Sequence, residues 1–304
     1  MPDQFSTRIR STPMTDAMGP LARGTLLTTL VLLVGLVAPV AATAHVPTVH
    51  TLRGEPFAGE PWRTLDRPPA HRFRAAPRSS ASSVKVANVS ADGTRTNGKI
   101  LAVDPGAGSY SCSGTAINTP SRSIVLTAGH CVVEGGEEGR RIAFVPAYDH
   151  GKRPFGAFPV ESIYVMPQWR RSESPAFDLA ALRVKPNKLG MRLTDVVGAR
   201  GYAIGKSRLA AFQIFGYPAA RAGGEELRSC RAHGLGFDRL TARFAGPPTM
   251  PASCDMAAGA SGGAWLFDGR YVSGVTSYSY QGRPTQLFSP YFGPEIGGFL
   301  RALP

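Results

Sequence analysis

The sequence predicts an all-β fold, and three observations carry that expectation. The 304 residues include 35 glycines and 26 prolines with no collagen-like period, a turn-rich composition that favours many short strands and excludes a coiled coil or helical solenoid. Apolar stretches such as 123–128 and 271–275 are short and of strand character. Between 265–267 and the stretch starting at Tyr271, Asp268-Gly269 is a hairpin turn signal. Charged residues at 18% and hydrophobic ones at 43% exclude wholesale disorder, and the length is ample for one large domain or two small ones.

The formal net charge of +13 comes from 34 Lys+Arg against 21 Asp+Glu. These basic residues, 28 of them Arg, are scattered along the chain, and the densest cases are the pairs Arg140-Arg141 and Arg170-Arg171. No basic helix or aromatic RNA-binding string accompanies them, so no nucleic-acid partner is expected. The charge reads as a generally basic solvated surface, with attraction to an anionic cell-wall polymer as the alternative.

Residues 25–40 form the one long apolar run, preceded by Arg23 and followed by Ala42-Thr43-Ala44, a small-x-small exit. These are the physical parts of a secretory signal peptide, so 1–44 is expected to be removed after Ala44, with Met14 or Met18 as alternative starts. The run is shorter than the ~20 residues a membrane span needs, so no membrane association is expected after cleavage. Residues 45–95 read as a propeptide or flexible linker and lead-in, because 45–83 carries six prolines and six arginines without apolar periodicity.

Export places Cys112, Cys131, Cys230 and Cys254 in an oxidising compartment. Their order suggests disulfides Cys112–Cys131 and Cys230–Cys254, worth roughly 3 kcal/mol each in the chain-entropy model. No C-x-x-C or H-x3-H spacing is present, so neither a metal nor a cofactor is expected.

Three motifs follow in one order. In 123–131, Ser-Ile-Val-Leu-Thr-Ala-Gly-His-Cys, a histidine stands at the exit of an apolar strand, its backbone steadied by Cys131. In 176–184, Asp178 heads a buried apolar segment, where a carboxylate is costly unless hydrogen-bonded. In 254–265, Ser261 sits among glycines in a turn where backbone N–H groups can converge beside its hydroxyl. Each alone has a bland reading as a structural histidine, a capped carboxylate and a plain turn.

Together they resemble the trypsin-like (chymotrypsin-fold) serine peptidases, whose marks are Thr-Ala-x-His-Cys, Asp-x-Ala-Leu and Gly-x-Ser-Gly-Gly in that order. The likeness spans about 96–304 and is strongest to secreted actinobacterial members, through Cys112-Ser113-Gly114-Thr115-Ala116 and Phe144-Val145-Pro146-Ala147-Tyr148. It implies two six-stranded antiparallel β-barrels, about 96–196 and 197–304, with the active site in the cleft between them. It further implies Ser261 as nucleophile, His130 as general base and Asp178 as the group orienting the imidazole. The N–H groups of Gly259 and Ser261 would form the oxyanion hole. Thr276, Ser277, Tyr278 and Ser279 would run beside the substrate backbone as an added strand. The implied activity is that of a secreted, monomeric endopeptidase acting on extracellular polypeptides.

The pattern departs from the family in three places. Ala260 replaces the Asp that in trypsins binds the freed N-terminal amine, so the site is expected to form without a new N-terminus. Asp255 stands where trypsins keep the carboxylate selecting Lys or Arg, yet the adjoining Cys254 breaks the trypsin cysteine pattern. It therefore reads either as a specificity residue or as a partner for local donors. Ser279, in place of a glycine, would narrow the pocket mouth. Two rival functions are weighed. Gly259-Ala260-Ser261-Gly262-Gly263 also fits the α/β-hydrolase elbow, but that fold needs a histidine after the serine and the last one here is His233. A catalytically inactive homologue acting as an extracellular or cell-wall binding protein is the remaining alternative.

Overall fold

The computed structural model describes residues 48–51, 82–104, 108–134, 137–280 and 285–304. The expected signal peptide, 1–44, lies outside the described residues, as do 45–47 and 52–81 of the expected propeptide or linker.

Two short strands come first, β1 (Thr48–Thr51) and β2 (Val84–Lys85). The first barrel uses β3 (Asn97–Asp104), β4 (Gly108–Ile117) and β5 (Ile124–Thr127). A two-residue hairpin, β6 (Val133–Glu134) with β7 (Glu137–Glu138), stands apart from it. The barrel resumes with β8 (Arg140–Pro146), β9 (Phe158–Val165) and β10 (Ala180–Val184). All pairings are antiparallel in the order β9-β10-β5-β4-β3-β8, and β8 returns to β9 through Ala143–Pro159 and Phe144–Phe158. Closure removes the raw sheet edges that six short strands would otherwise expose. Strand β1 adds to β9 beyond β8, opposite residues 162–165. The interior is filled by Ile100, Val125, Phe144, Phe158, Ile163 and Leu182, all buried.

The second barrel follows with β11 (Gly201–Tyr202), β12 (Ala211–Gly216), β13 (Arg228–His233), β14 (Met250–Ser253), β15 (Ala264–Phe267), β16 (Tyr271–Val275) and β17 (Gln286–Ser289). Ladders join β13 to β12, β12 to β15, β15 to β16, and β14 to β17. Single bridges complete the circuit, Gly234 with Ala252 and Tyr278 with Phe288. Asp268-Gly269 makes the β15–β16 turn, with φ of 51° and 61°, as the sequence predicts. Phe212, Ile214, Trp265 and Leu287 form the core here, and Trp265 Nε1 donates to Thr276 Oγ1 at 3.0 Å.

Helices are few and short: α1 (Pro167–Ser172), α2 (Leu193–Val197) and α3 (Pro294–Arg301). In α3 the spacing of Ile296, Phe299, Leu300 and, just beyond, Leu303 puts one apolar stripe into the larger core cluster. The fold is all-β of chymotrypsin type, as the sequence predicts.

The four cysteines form two disulfides, Cys112–Cys131 within the first barrel and Cys230–Cys254 between β13 and the segment after β14. The second bridge closes a loop with a sequence separation of 24, so exchanging both of its cysteines for alanine should lower stability by about 3 kcal/mol. Equilibrium urea unfolding measures this, and a loss below about 1 kcal/mol would show that the unfolded chain gains little freedom when the loop opens.

Candidate active site

Strand β5 delivers His130. Its last residue is followed by Ala128 and a single 3₁₀ turn, Gly129–Cys131. A side chain at Gly129 would fall 2.8 Å from the indole of Trp169, so glycine here lets that ring pack against the turn. The turn is pinned from three sides: by the disulfide through Cys131, by the Tyr110 hydroxyl donating to the Cys131 carbonyl at 2.9 Å, and by Trp169 Nε1 donating to the Val133 carbonyl at 3.0 Å.

Asp178 lies between the turn Pro175–Phe177 and β10, with a side chain only 2% exposed. Its carboxylate accepts three donors: the His130 backbone N–H at 2.8 Å, the His130 Nδ1 at 2.8 Å, and the Ser277 hydroxyl. The proton on the imidazole must therefore sit on Nδ1, which leaves Nε2 as an acceptor when the ring is neutral. Burial alone would push the Asp178 carboxyl up, but His130 and the other donors outweigh it and hold the group below its ordinary value.

The turn carrying Ser261 is locked against β4, the exit of β5 and the segment after β16. Ser113 N–H donates to the Ser261 carbonyl at 2.7 Å, and Gly262 N–H to the Thr276 carbonyl at 2.7 Å. Gly262 has φ +78°, and a side chain there would strike Thr127 Oγ1 at 2.1 Å and the Ser113 carbonyl at 2.3 Å. Both conditions demand glycine, and together they press the residue after Ser261 onto the exit of β5, three residues ahead of His130. Ser261 itself is half-buried, and Ala260 is fully buried.

Two backbone bonds aim the peptides around Ser261. Ala219 N–H donates to the Ala258 carbonyl at 2.7 Å, and Gly263 N–H to the Ala260 carbonyl at 2.9 Å. In a trans peptide the C=O and the following N–H point in opposite directions, so the N–H groups of Gly259 and Ser261 turn away from Ala219 and Gly263 respectively. Gly259 has φ +87°, and a side chain on it would come within 2.5 Å of the Tyr217 carbonyl.

The strand beyond β16 runs past this turn. Ser277 N–H donates to the Phe288 carbonyl at 2.8 Å, and Phe288 N–H returns to the Tyr278 carbonyl at 2.9 Å. The Tyr278 ring stacks on Phe288 with centroids 4.8 Å apart. Its hydroxyl, pushed far up by burial, donates to the buried Asp238 at 2.8 Å, a carboxylate it shares with Tyr280. Thr276 and Ser277 are buried, while Tyr278 and Ser279 are half-buried.

Asp255 is 12% exposed and already engaged. One carboxylate oxygen accepts the Ser83 N–H at 2.7 Å and the other pairs with Arg221 at 2.7 Å. Among the described residues, the groups with metal-like spacing are Cys112–His130–Cys131 and Cys230–Cys254–Asp255. In both, the cysteines are disulfide-bonded and supply no thiolate.

Sequence reasoning gave no site role to Ser113, Tyr217, Ala219 or the ion pair of buried Lys99 with half-buried Glu225. Lys99 did leave a signal, a charge directly ahead of the apolar run Ile100-Leu101-Ala102, but its partner lies 126 residues away and no local pattern marks it.

The family model for trypsin matches residues 89–291. Among solved structures, the protease Anisep from Arthrobacter nicotinovorans is 32% identical, covering 72% of this chain and 98% of its own, with a TM-score of 0.65. A thermostable serine protease, AL20, from an extremophilic microorganism is 29% identical, covering 70% and 98%, with a TM-score of 0.63. A Glu endopeptidase at 20% identity and a TM-score of 0.59, covering 73% and 96%, shares the fold. No curated protein matches the chain.

A depressed carboxyl stabilises the fold fully above its unfolded value, about 3.9, and that contribution is lost as pH falls through the lower folded value. Asp178→Asn removes it. In urea unfolding, wild type should therefore exceed the variant at neutral pH by a margin that shrinks below about pH 4, whereas a margin constant down to about pH 2 would show that the charge contributes nothing.

Proposed function

The chain belongs to the trypsin family of serine endopeptidases, and we propose that it is an active, secreted member cutting peptide bonds of extracellular polypeptides through an acyl-enzyme. The observation that carries this reading is the Asp178 carboxylate joined at once to the His130 N–H, the His130 ring and Ser277, beside the turn that bears Ser261. Two disulfides suit the oxidising compartment that secretion implies.

In this reading Ser261 Oγ attacks the scissile carbonyl carbon as its proton passes to His130 Nε2. The carbonyl oxygen takes the negative charge and is met by the N–H groups of Gly259 and Ser261. The C–N bond then breaks, and Nε2 returns the proton to the departing amine. Water repeats the sequence on the ester and restores the hydroxyl. Asp178 fixes the tautomer and stabilises the imidazolium throughout. The substrate backbone lies along Thr276, Ser277, Tyr278 and Ser279 as an added strand. Nucleophile, base and orienting acid all lie on one chain, so a monomer suffices for the reaction.

Asp255 shapes the pocket through Arg221 and Ser83, since a basic substrate side chain could reach it only by displacing the guanidinium. A peptide-library cleavage profile should therefore keep the same preference before the scissile bond in wild type and in Asp255→Asn. A Lys or Arg preference that disappears in the variant would make Asp255 a direct recognition residue instead.

Ser261→Ala should leave the thermal unfolding midpoint in place and lower peptide turnover by on the order of 10⁵–10⁶. A sulfonyl fluoride should label wild type at Ser261. Wild type that neither turns over peptides nor takes the label would be the inactive, binding homologue.

A further inference from the structure

Residues 217–225 connect β12 towards β13 and lie directly on the turn that carries Gly259. Ala219 N–H holds the Ala258 carbonyl, and Ser113 Oγ donates to the Gly259 carbonyl at 2.9 Å while accepting the Tyr217 N–H at 2.9 Å. Whatever fixes this segment fixes the direction of the Gly259 N–H. Within the segment, Arg221 N–H donates to the Pro218 carbonyl at 3.1 Å and Glu225 N–H to the Ala222 carbonyl at 3.0 Å, across three residues of positive φ, Ala222, Gly223 and Gly224. One ionic anchor comes from the stretch leading to Ser261, where Asp255 pairs with the half-exposed Arg221 at 2.7 Å.

A second and deeper anchor comes from the other barrel. Lys99 on β3, with a side chain only 2% exposed, places Nζ 2.6 Å from Glu225 Oε1. The Tyr148 hydroxyl donates to the second oxygen of Glu225, and the Lys99 ammonium lies 4.7 Å above the Tyr148 ring. The His150 N–H donates to the Glu225 carbonyl at 3.0 Å, and the Tyr217 hydroxyl to the Tyr148 carbonyl at 2.9 Å. Moving Glu225 away would strip the buried Lys99 ammonium of its carboxylate, so other arrangements of the segment are disfavoured.

Building on the function proposed above, we infer that Lys99, Glu225 and Tyr148 are positioning residues for oxyanion stabilisation, holding 217–225 so that the Ala219 N–H orients the Ala258–Gly259 peptide. They touch no substrate and act through Gly259. Their effect belongs to the charged tetrahedral state, because that is where the Gly259 N–H gains its strength.

The test uses the full chain and the variants Glu225→Gln, Tyr148→Phe and the double Lys99→Met/Glu225→Met, which leaves no unpaired charge. Each is assayed on a peptide amide and with a peptide aldehyde, whose adduct carries the same developing oxyanion, at a temperature where circular dichroism shows the variant folded. In the double variant kcat should fall on the order of 10²-fold, with the aldehyde inhibition constant rising in parallel and KM little changed. Tyr148→Phe, which keeps both charges, should show a smaller loss with the same split, and it decides the matter should the charge variants fail to fold. Folded variants with wild-type kcat and aldehyde affinity, and only a lower melting temperature, would overturn the inference while leaving the proposed function standing. Wild type that turned over no peptide would instead remove the function itself.

Discussion

The Asp178 carboxylate is the constraint on which the rest of this molecule turns. A charge so deeply buried is tolerable only where protein dipoles replace water, and here the replacements come from both barrels. The His130 N–H and ring belong to the first, and the Ser277 hydroxyl belongs to the second. Neither barrel alone can solvate the charge, so docking the two and assembling the site are one event. The same junction carries the Ser113 bonds to Gly259, Tyr217 and Ser261, which knit β4 into the turn that bears Ser261.

Glycine governs how close these parts can come. Gly129, Gly259 and Gly262 each sit where a side chain would collide with an indole, a carbonyl or a hydroxyl, and the last two also need positive φ. The backbone there is held by walls as much as by hydrogen bonds. A turn confined in this way keeps its N–H groups aimed without having to reorganise when charge appears, which is what makes preorganised dipoles effective.

Much of this was legible in the sequence, for a definite reason. His130, Asp178 and Ser261 each stand in a short local motif, so the sequence marks them although their partners come from afar, Asp178 meeting His130 over 48 residues and Ser277 over 99. The all-β class followed from the density of turn residues. What stayed hidden is whatever depends on pairing across the fold. Lys99 and Glu225 meet over 126 residues, Asp238 gathers Tyr278 and Tyr280 from about 40 residues away, and Asp255 takes a donor from Ser83. A lone charge in a strand announces that a partner exists, but its identity is fixed only when the barrels close. Membership in the trypsin family gives the fold and leaves these chain-specific pairings to the structure.

The stretch 82–95, just ahead of the first barrel, is fastened to the second. Strand β2 covers the edge of β13, the Ser83 N–H reaches Asp255, and the Gly93 carbonyl receives the Arg200 guanidinium. It works as a strap fastened to the second barrel before the chain enters the first. A form shortened to begin at Thr96 would bare a strand edge to neighbouring molecules, leave Asp255 to Arg221 alone, and trade solubility for compactness.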